Sequence, residues 1–248
     1  MAKKPVKKPL NKQIKVVLTV VLLAAVLLAA WLFAAPALEM RERTKQQDAL
    51  LDSITTGDGT ITVPDNFITD DVDFYDDGPE APQEEAIFFL PPDTVAAEHT
   101  EDAESDEAAA QDSGVITGLG VLTIDSIDVK LPVAEGVSTA QLKIAVGHVP
   151  QTAAIGDIGN AVIAGHRSYE DGQFFNRLGE VQTGDIIQYQ PKDGEAMTFV
   201  VDEILEIIPG DQSAFEQPED KSQITLYTCT PIRTATHRLL VRATRIFD

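Results

Sequence analysis

Hydrophobic positions along this chain fall into three regimes. Residues 16–35 form a run of twenty in which only Thr19 is polar. At about 1.5 Å per residue, such a helix spans a hydrocarbon core about 30 Å thick. Residues 39–51 then read as a short helix with Arg41, Arg43 and Lys45 near its start. From residue 57 to 113 the periodicity dissolves into repeated Asp and Glu with five prolines, broken by one apolar island, Ala86-Ile87-Phe88-Phe89-Leu90-Pro91-Pro92. From about Gly114 onward the pattern changes again, to short β-branched runs bounded by Gly, Pro or Asp. Strands are predicted at 121–124, 129–133, 161–165, 185–190, 197–203, 204–208, 224–229 and 239–246. Two helical stretches are predicted, at 139–146 and 174–178. Many short strands with few helices point to a mostly β domain, a closed barrel or a sandwich. About 135 residues are enough for one core.

Charge sharpens these boundaries. Residues 1–38 carry six lysines and no acid, whereas residues 39–113 carry 22 acids against three basic residues, a net of −19. Residues 114–248 carry 18 acids against 10 basic residues, a net of −8. The predicted organisation is a basic cytoplasmic tip (1–15), a transmembrane anchor (16–35), a juxtamembrane helix (36–56), an acidic and largely disordered linker (57–113) and a folded domain (114–248). Lysines ahead of the apolar run place the N-terminus in the cytoplasm and everything after the run outside. A cleaved signal peptide is the competing reading, since Ala35-Pro36-Ala37 has the small-x-small form. The apolar run is longer than most signal sequences carry, which favours a retained anchor. Nucleic acid is excluded as a partner by the scarcity of clustered Lys and Arg.

Export changes the meaning of Cys229, the only cysteine in 248 residues. No intrachain disulfide is possible, so the thiol pairs between molecules, is reactive, or is buried and inert. A structural cysteine usually lies mid-strand in an apolar run. Cys229 instead ends one, because Pro231 cannot donate to a sheet ladder. Arg238 opens the next predicted strand, so a thiol at one strand end faces a guanidinium at the next strand's beginning. Three histidines accompany them in this domain: His148 in Gly147-His148-Val149-Pro150, His166 at the end of Gly159-Asn160-Ala161-Val162-Ile163-Ala164-Gly165-His166-Arg167, and His237 beside Arg238. Spacing alone does not choose which of them partners the thiol. A cysteine, a histidine and a cation are the set that thiol acyl transfer needs: a nucleophile, an acid for the leaving amine and a donor for the oxyanion.

These motifs resemble those of the sortases, membrane-anchored cysteine transpeptidases of Gram-positive surfaces. Leu226-Tyr227-Thr228-Cys229, preceded by Thr225, looks like the family's TLxTC nucleophile motif. Arg238 falls where the family keeps an essential arginine, and residues 159–167 look like its GNxVIAGHR stretch. Residues 147–150 and 124–136 are similar to weaker signatures. The match covers about residues 118 to 246. It implies an eight-stranded β-barrel with short helices. Cys229 would be the nucleophile that forms a thioester at Thr of an LPxTG-like sorting signal, His166 the acid and then base, and Arg238 the oxyanion or carbonyl donor. Thr228 and His148 are implied as substrate contacts. Surface proteins or pilins would be substrates, with a cell-wall peptide or a pilin lysine as the acceptor amine. No cofactor or metal is required.

Residues 169–179 look closer to class D sortases, while residues 230–242 look like the pilus-assembling class C. Neither the Asp-Pro-aromatic lid nor a second membrane span typical of class C is found in the sequence. Leu90-Pro91-Pro92-Asp93-Thr94 nearly repeats a sorting signal, which makes residues 86–95 a candidate pseudosubstrate lid. The loop over 208–223 is the predicted specificity-setting wall. Three alternatives stay open: a cysteine protease on the same scaffold, a non-catalytic anchored β-domain, and a thiolate metal site. The last is poorly served by one cysteine without a CxxC or HxxxH pattern.

Overall fold

A computed structural model describes residues 12–63, 114–167, 173–232 and 234–247 of the chain. The basic tip up to residue 11, the acidic stretch from 64 to 113 with the candidate lid at 86–95, and residues 169–172 of the class D-like stretch lie outside the described residues. The chain divides into two compact units, Met1–Lys45 and Gln46–Asp248. Helix α1, Lys12–Thr56, carries the apolar run. Val20, Leu22, Leu23, Val26 and Trp31 on it are all exposed. Among the described residues, no helix is long and apolar enough to cross a membrane, so the anchor predicted over 16–35 is not shown.

Among the described residues, the second unit holds nine strands: β1 (Thr60–Thr62), β2 (Val115–Ile124), β3 (Val129–Glu135), β4 (Val146–His148), β5 (Gly159–Ala164), β6 (Ile186–Pro191), β7 (Met197–Ile207), β8 (Ser222–Thr230) and β9 (His237–Ile246). Their order is β1-β2-β3-β4-β5-β8-β9-β7-β6, and β6 also pairs with β2. Strands β2 to β9 therefore close into an eight-stranded barrel, and β1 extends the start of β2. Closure removes free sheet edges. The barrel is filled by Leu122, Ile124, Val133, Ile163, Phe175, Phe199, Ile224, Leu226 and Val241, all essentially inaccessible.

Two strands explain why the sequence pattern is uneven. β6 alternates exposed and buried positions, as a strand with one wet face does. β5 is buried at all six positions and β8 at eight of nine, because both faces of this parallel pair are covered. The outer face of the pair lies under a second apolar layer that includes Ala214 and Phe215.

Several predicted elements change shape. The strands predicted at 197–203 and 204–208 are one strand, β7, with a register irregularity between Val201 and Glu203 that lets it follow β9 around the barrel. The helix predicted over 139–146 is a single turn, α2 (Thr139–Leu142), closed at its start by a capping box between Ser138 and Gln141. The chain then enters β4, which three residues are too few to announce by pattern. The helix predicted over 174–178 is a 3₁₀ turn at Asn176–Glu180.

The folded unit also starts earlier than Gly114. Leu50 and Ile54 of α1 pack with Val63, Ile116, Val121, Ala134 and Ile144 in a separate apolar cluster. A Cβ on Gly118 would stand 2.5 Å from Ile54 Cγ1 and 3.1 Å from Leu50 Cδ1, so this glycine permits the close approach. Gly57 to Val63, assigned by pattern to the acidic linker, instead form a turn and β1, with Gly118 N–H donating to Gly59 O at 2.6 Å.

Candidate active site

The site is assembled by strand register. β5 and β8 run parallel from Gly159 opposite Ser222 to Ala164 opposite Tyr227. Buried polar side chains tie the pair at both ends. At the start, Thr225 Oγ1 donates to Asn160 Oδ1 at 2.7 Å, and Asn160 Nδ2 donates to Ala214 O at 2.9 Å. At the other end, Gly165 N–H donates to Tyr227 O at 3.0 Å and Thr228 Oγ1 donates to Gly165 O at 2.7 Å. His166 thus leaves β5 beside the strand segment that carries Cys229. Across β8, Cys229 is the register partner of Arg238. His166, Cys229 and Arg238 therefore occupy the same end of three neighbouring strands, though 72 positions separate the first from the last in the chain.

The accessibility of each group suits a different task. Cys229 is partly exposed and carries a thiol that is in no disulfide. His166 is half-buried, its ring edge-on to Phe174 with centroids 6.2 Å apart, while its carbonyl accepts from Phe175 N–H at 3.0 Å. Arg238 is 3% exposed, and its Nη1 donates to Ala235 O at 2.9 Å and His237 O at 3.2 Å. Those bonds fix the guanidinium at the mouth of β9. A Cβ on Gly165 would meet Phe175 Cδ2 at 2.7 Å and Val146 Cγ1 at 2.8 Å. The glycine before the histidine is therefore a packing requirement: Phe175 occupies the space a side chain would need.

The two predicted substrate contacts, Thr228 and His148, are both buried and bonded within the protein. Thr228 is 2% exposed and spends its hydroxyl on the Gly165 carbonyl, holding the chain that leads to His166. His148 is 5% exposed. Its Nδ1 stands 3.1 Å from a Glu135 carboxylate oxygen and its Nε2 stands 2.9 Å from Ala153 O. Two acceptors on two ring nitrogens fit the doubly protonated imidazolium. Burial works against that charge, but the bonds to Glu135 and Ala153 and the Glu135 charge raise the His148 pKa above its ordinary 6.5.

The loop over 208–223 is also not simply a wall beside the nucleophile. It leaves β7 near Arg238, whose register partner is Ile207, but Ala214 and Gln217 are bonded to Asn160 at the opposite end of β5. Its middle covers the outer apolar layer. Among the described residues, no group of three or more His, Cys, Asp or Glu is placed to hold a metal. Two charged residues not singled out from the sequence lie close to this end of the barrel. Arg167 follows His166 directly, and Glu206 of β7 accepts from Thr230 Oγ1 at 3.4 Å. Adjacency to His166 was the one available sign for the arginine; nothing in the pattern marked the glutamate.

Comparisons with known proteins match this geometry. The sortase-domain family model matches residues 122–246. Sortase D of Bacillus subtilis (strain 168) is 30% identical over 112 residues, covering 45% of this chain and 54% of that protein. Sortase A of Streptococcus agalactiae is 25% identical over 129 residues, covering 50% of this chain and 51% of that protein. The chain thus spans about half the length of the curated relatives it matches. Among solved structures, sortase C of Streptococcus pneumoniae superposes with a TM-score of 0.50 at 29% identity, covering 53% of this chain and 70% of that chain. The family match spans half of the chain and contains the barrel together with His166, Cys229 and Arg238, and the chain belongs to the sortase family.

Proposed function

We propose that this protein is a membrane-anchored cysteine transpeptidase that cuts an LPxTG-like sorting signal and joins the freed acyl group to an amine. The observation that carries the reading is the placement of a thiol, an imidazole and a fixed guanidinium at one end of three adjacent strands. The Cys229 thiolate attacks the carbonyl carbon of the signal's Thr, and the oxyanion that forms is met by Arg238. His166 protonates the departing amine as the C–N bond breaks, leaving a thioester on Cys229. The acceptor amine then attacks that thioester and His166 takes the proton it loses. A new amide forms and the Cys229 sulfur departs as the thiolate.

A cell-wall peptide is the favoured acceptor in this reading. Pilin joining through lysine is the second reading, favoured by the likeness to the pneumococcal sortase C, a structure described in connection with pilin substrate specificity. The anchor is residues 16–35, with six lysines on its cytoplasmic side and the barrel outside the cell.

The test uses the full chain in detergent, wild type and Cys229→Ala, with a panel of LPxTG-type peptides and with or without an added amine. Product masses should show cysteine-dependent cleavage that turns into ligation when amine is present. Cleavage that amine does not divert would make the protein a protease. A folded protein that turns over no peptide and loses nothing on Cys229→Ala would make it a non-catalytic surface domain.

A further inference from the structure

The side chain that follows His166 is not accounted for by acyl transfer as described. Arg167 Nε and Nη1 are buried and have no hydrogen-bond partner among the described residues. Buried polar groups are almost always paired, and an unpaired one is costly, more so when charged. The guanidinium is nonetheless given room. A Cβ on Gly179, in the 3₁₀ turn, would stand 2.5 Å from Arg167 Nη2. The backbone leading to Arg167 is pinned by the Thr228–Gly165 bond, which places Arg167 two residues from a fixed point beside the residue preceding Cys229.

We propose that Arg167 is a positioning residue of the active site: its guanidinium, seated over Gly179 with two buried N–H groups unpaired, favours the thiolate form of Cys229 and is itself steadied by Glu206. The groups that bear on the thiol are His166 and Arg167 after β5, His237 and Arg238 opening β9, and Glu206 on β7. His237 is exposed and shares its Nδ1 with Thr236 Oγ1 at 3.0 Å, and Arg238 Nη1 is committed to two carbonyls. Burial pushes the Arg167 pKa down from its ordinary value, while the charges of Glu206 and Cys229 act in the opposite sense. An arginine stays charged through such a change. A cation held among few competing bonds in a desolvated pocket stabilises a nearby anion more than a solvated one does.

This inference takes from the transpeptidase reading only that Cys229 is the nucleophile, and its test needs no peptide. Cys229 is the sole cysteine, so alkylation of the full chain by iodoacetamide, followed by intact mass from about pH 5 to about pH 10, reports its thiolate fraction directly. Arg167→Met should raise the midpoint of that profile by about half a unit to one unit. Arg167→Lys, which keeps the charge, should bring it back most of the way. Glu206→Gln should lower it, since one negative charge near the thiolate is gone. An unchanged midpoint in an Arg167→Met protein that melts like wild type overturns the proposal, as does a folded Arg167→Lys that behaves like Met. Should Arg167→Met fail to fold, Arg167→Gln decides by the same criterion, because it keeps polarity and removes charge. If these shifts are seen but no peptide is ever transferred, the function proposed above fails and the role of Arg167 stands.

Discussion

Gly165 shows how a single position couples packing to chemistry. Its missing side chain is filled by Phe175, and the same residue accepts the Thr228 hydroxyl that steers the chain into His166. Gly165→Ala should destabilise the fold by about 1–3 kcal/mol through overpacking and lower kcat more than it raises KM. Thermal melts and peptide kinetics on that one variant check both halves. Thr228→Val removes only the bond. It should cost about 1–2 kcal/mol, leaving a carbonyl unpaired, with the barrel intact by circular dichroism. His148 gives a pH signature of a different kind. Its folded pKa lies above 6.5, so the stability it contributes is complete below about pH 6.5 and is lost as pH rises through the folded value. The melting temperature of wild type should therefore fall more steeply from about pH 6 to about pH 8 than that of His148→Gln. Equal slopes in the two proteins would contradict the charged pairing with Glu135.

Among elements, legibility tracked periodicity and chemistry. The run ending in Cys229 and the run ending in His166 were plain because continuous apolar stretches bounded by Pro or Gly mark strands covered on both faces. The pairing of those strands with each other was not legible: parallel register leaves no mark in a single sequence, and 63 residues separate the two side chains. The internal bonds of Thr228 and His148 were not legible for a related reason. A polar residue inside a motif looks like a ligand contact until its buried partners, Gly165 O for one and Glu135 with Ala153 for the other, are known. The helix over 36–56 was legible, but the packing of its end on the folded domain was not, because Leu50 and Ile54 stand among polar residues and most of their partners lie across an acidic stretch of some fifty residues. Leu50 is fully buried, so Leu50→Ala should cost about 2–5 kcal/mol, read as a lower urea midpoint with an unchanged slope.

For the molecule as a whole, the distribution of charge and apolar sequence predicts where it resides. The full chain should sediment with membranes and resist extraction by high salt and alkali. A variant lacking residues 1–35 should appear in the soluble fraction with its cysteine alkylation unchanged. Release of the full chain by salt alone would argue against the anchor.

The order in which the barrel closes has a further consequence for safety during synthesis. β8 is inserted between β5 and β9, and the strands that carry the thiol and Arg238 are the last two described. Any shorter nascent fragment lacks one wall of the barrel and one member of the reacting group. Pairings this distant in sequence form late, after loop-closure costs are met. An incomplete or still-unfolded chain thus carries at most an ordinary cysteine, with the reactivity of an isolated thiol. His166, Cys229 and Arg238 are brought to one end of neighbouring strands only when the last strand is in place.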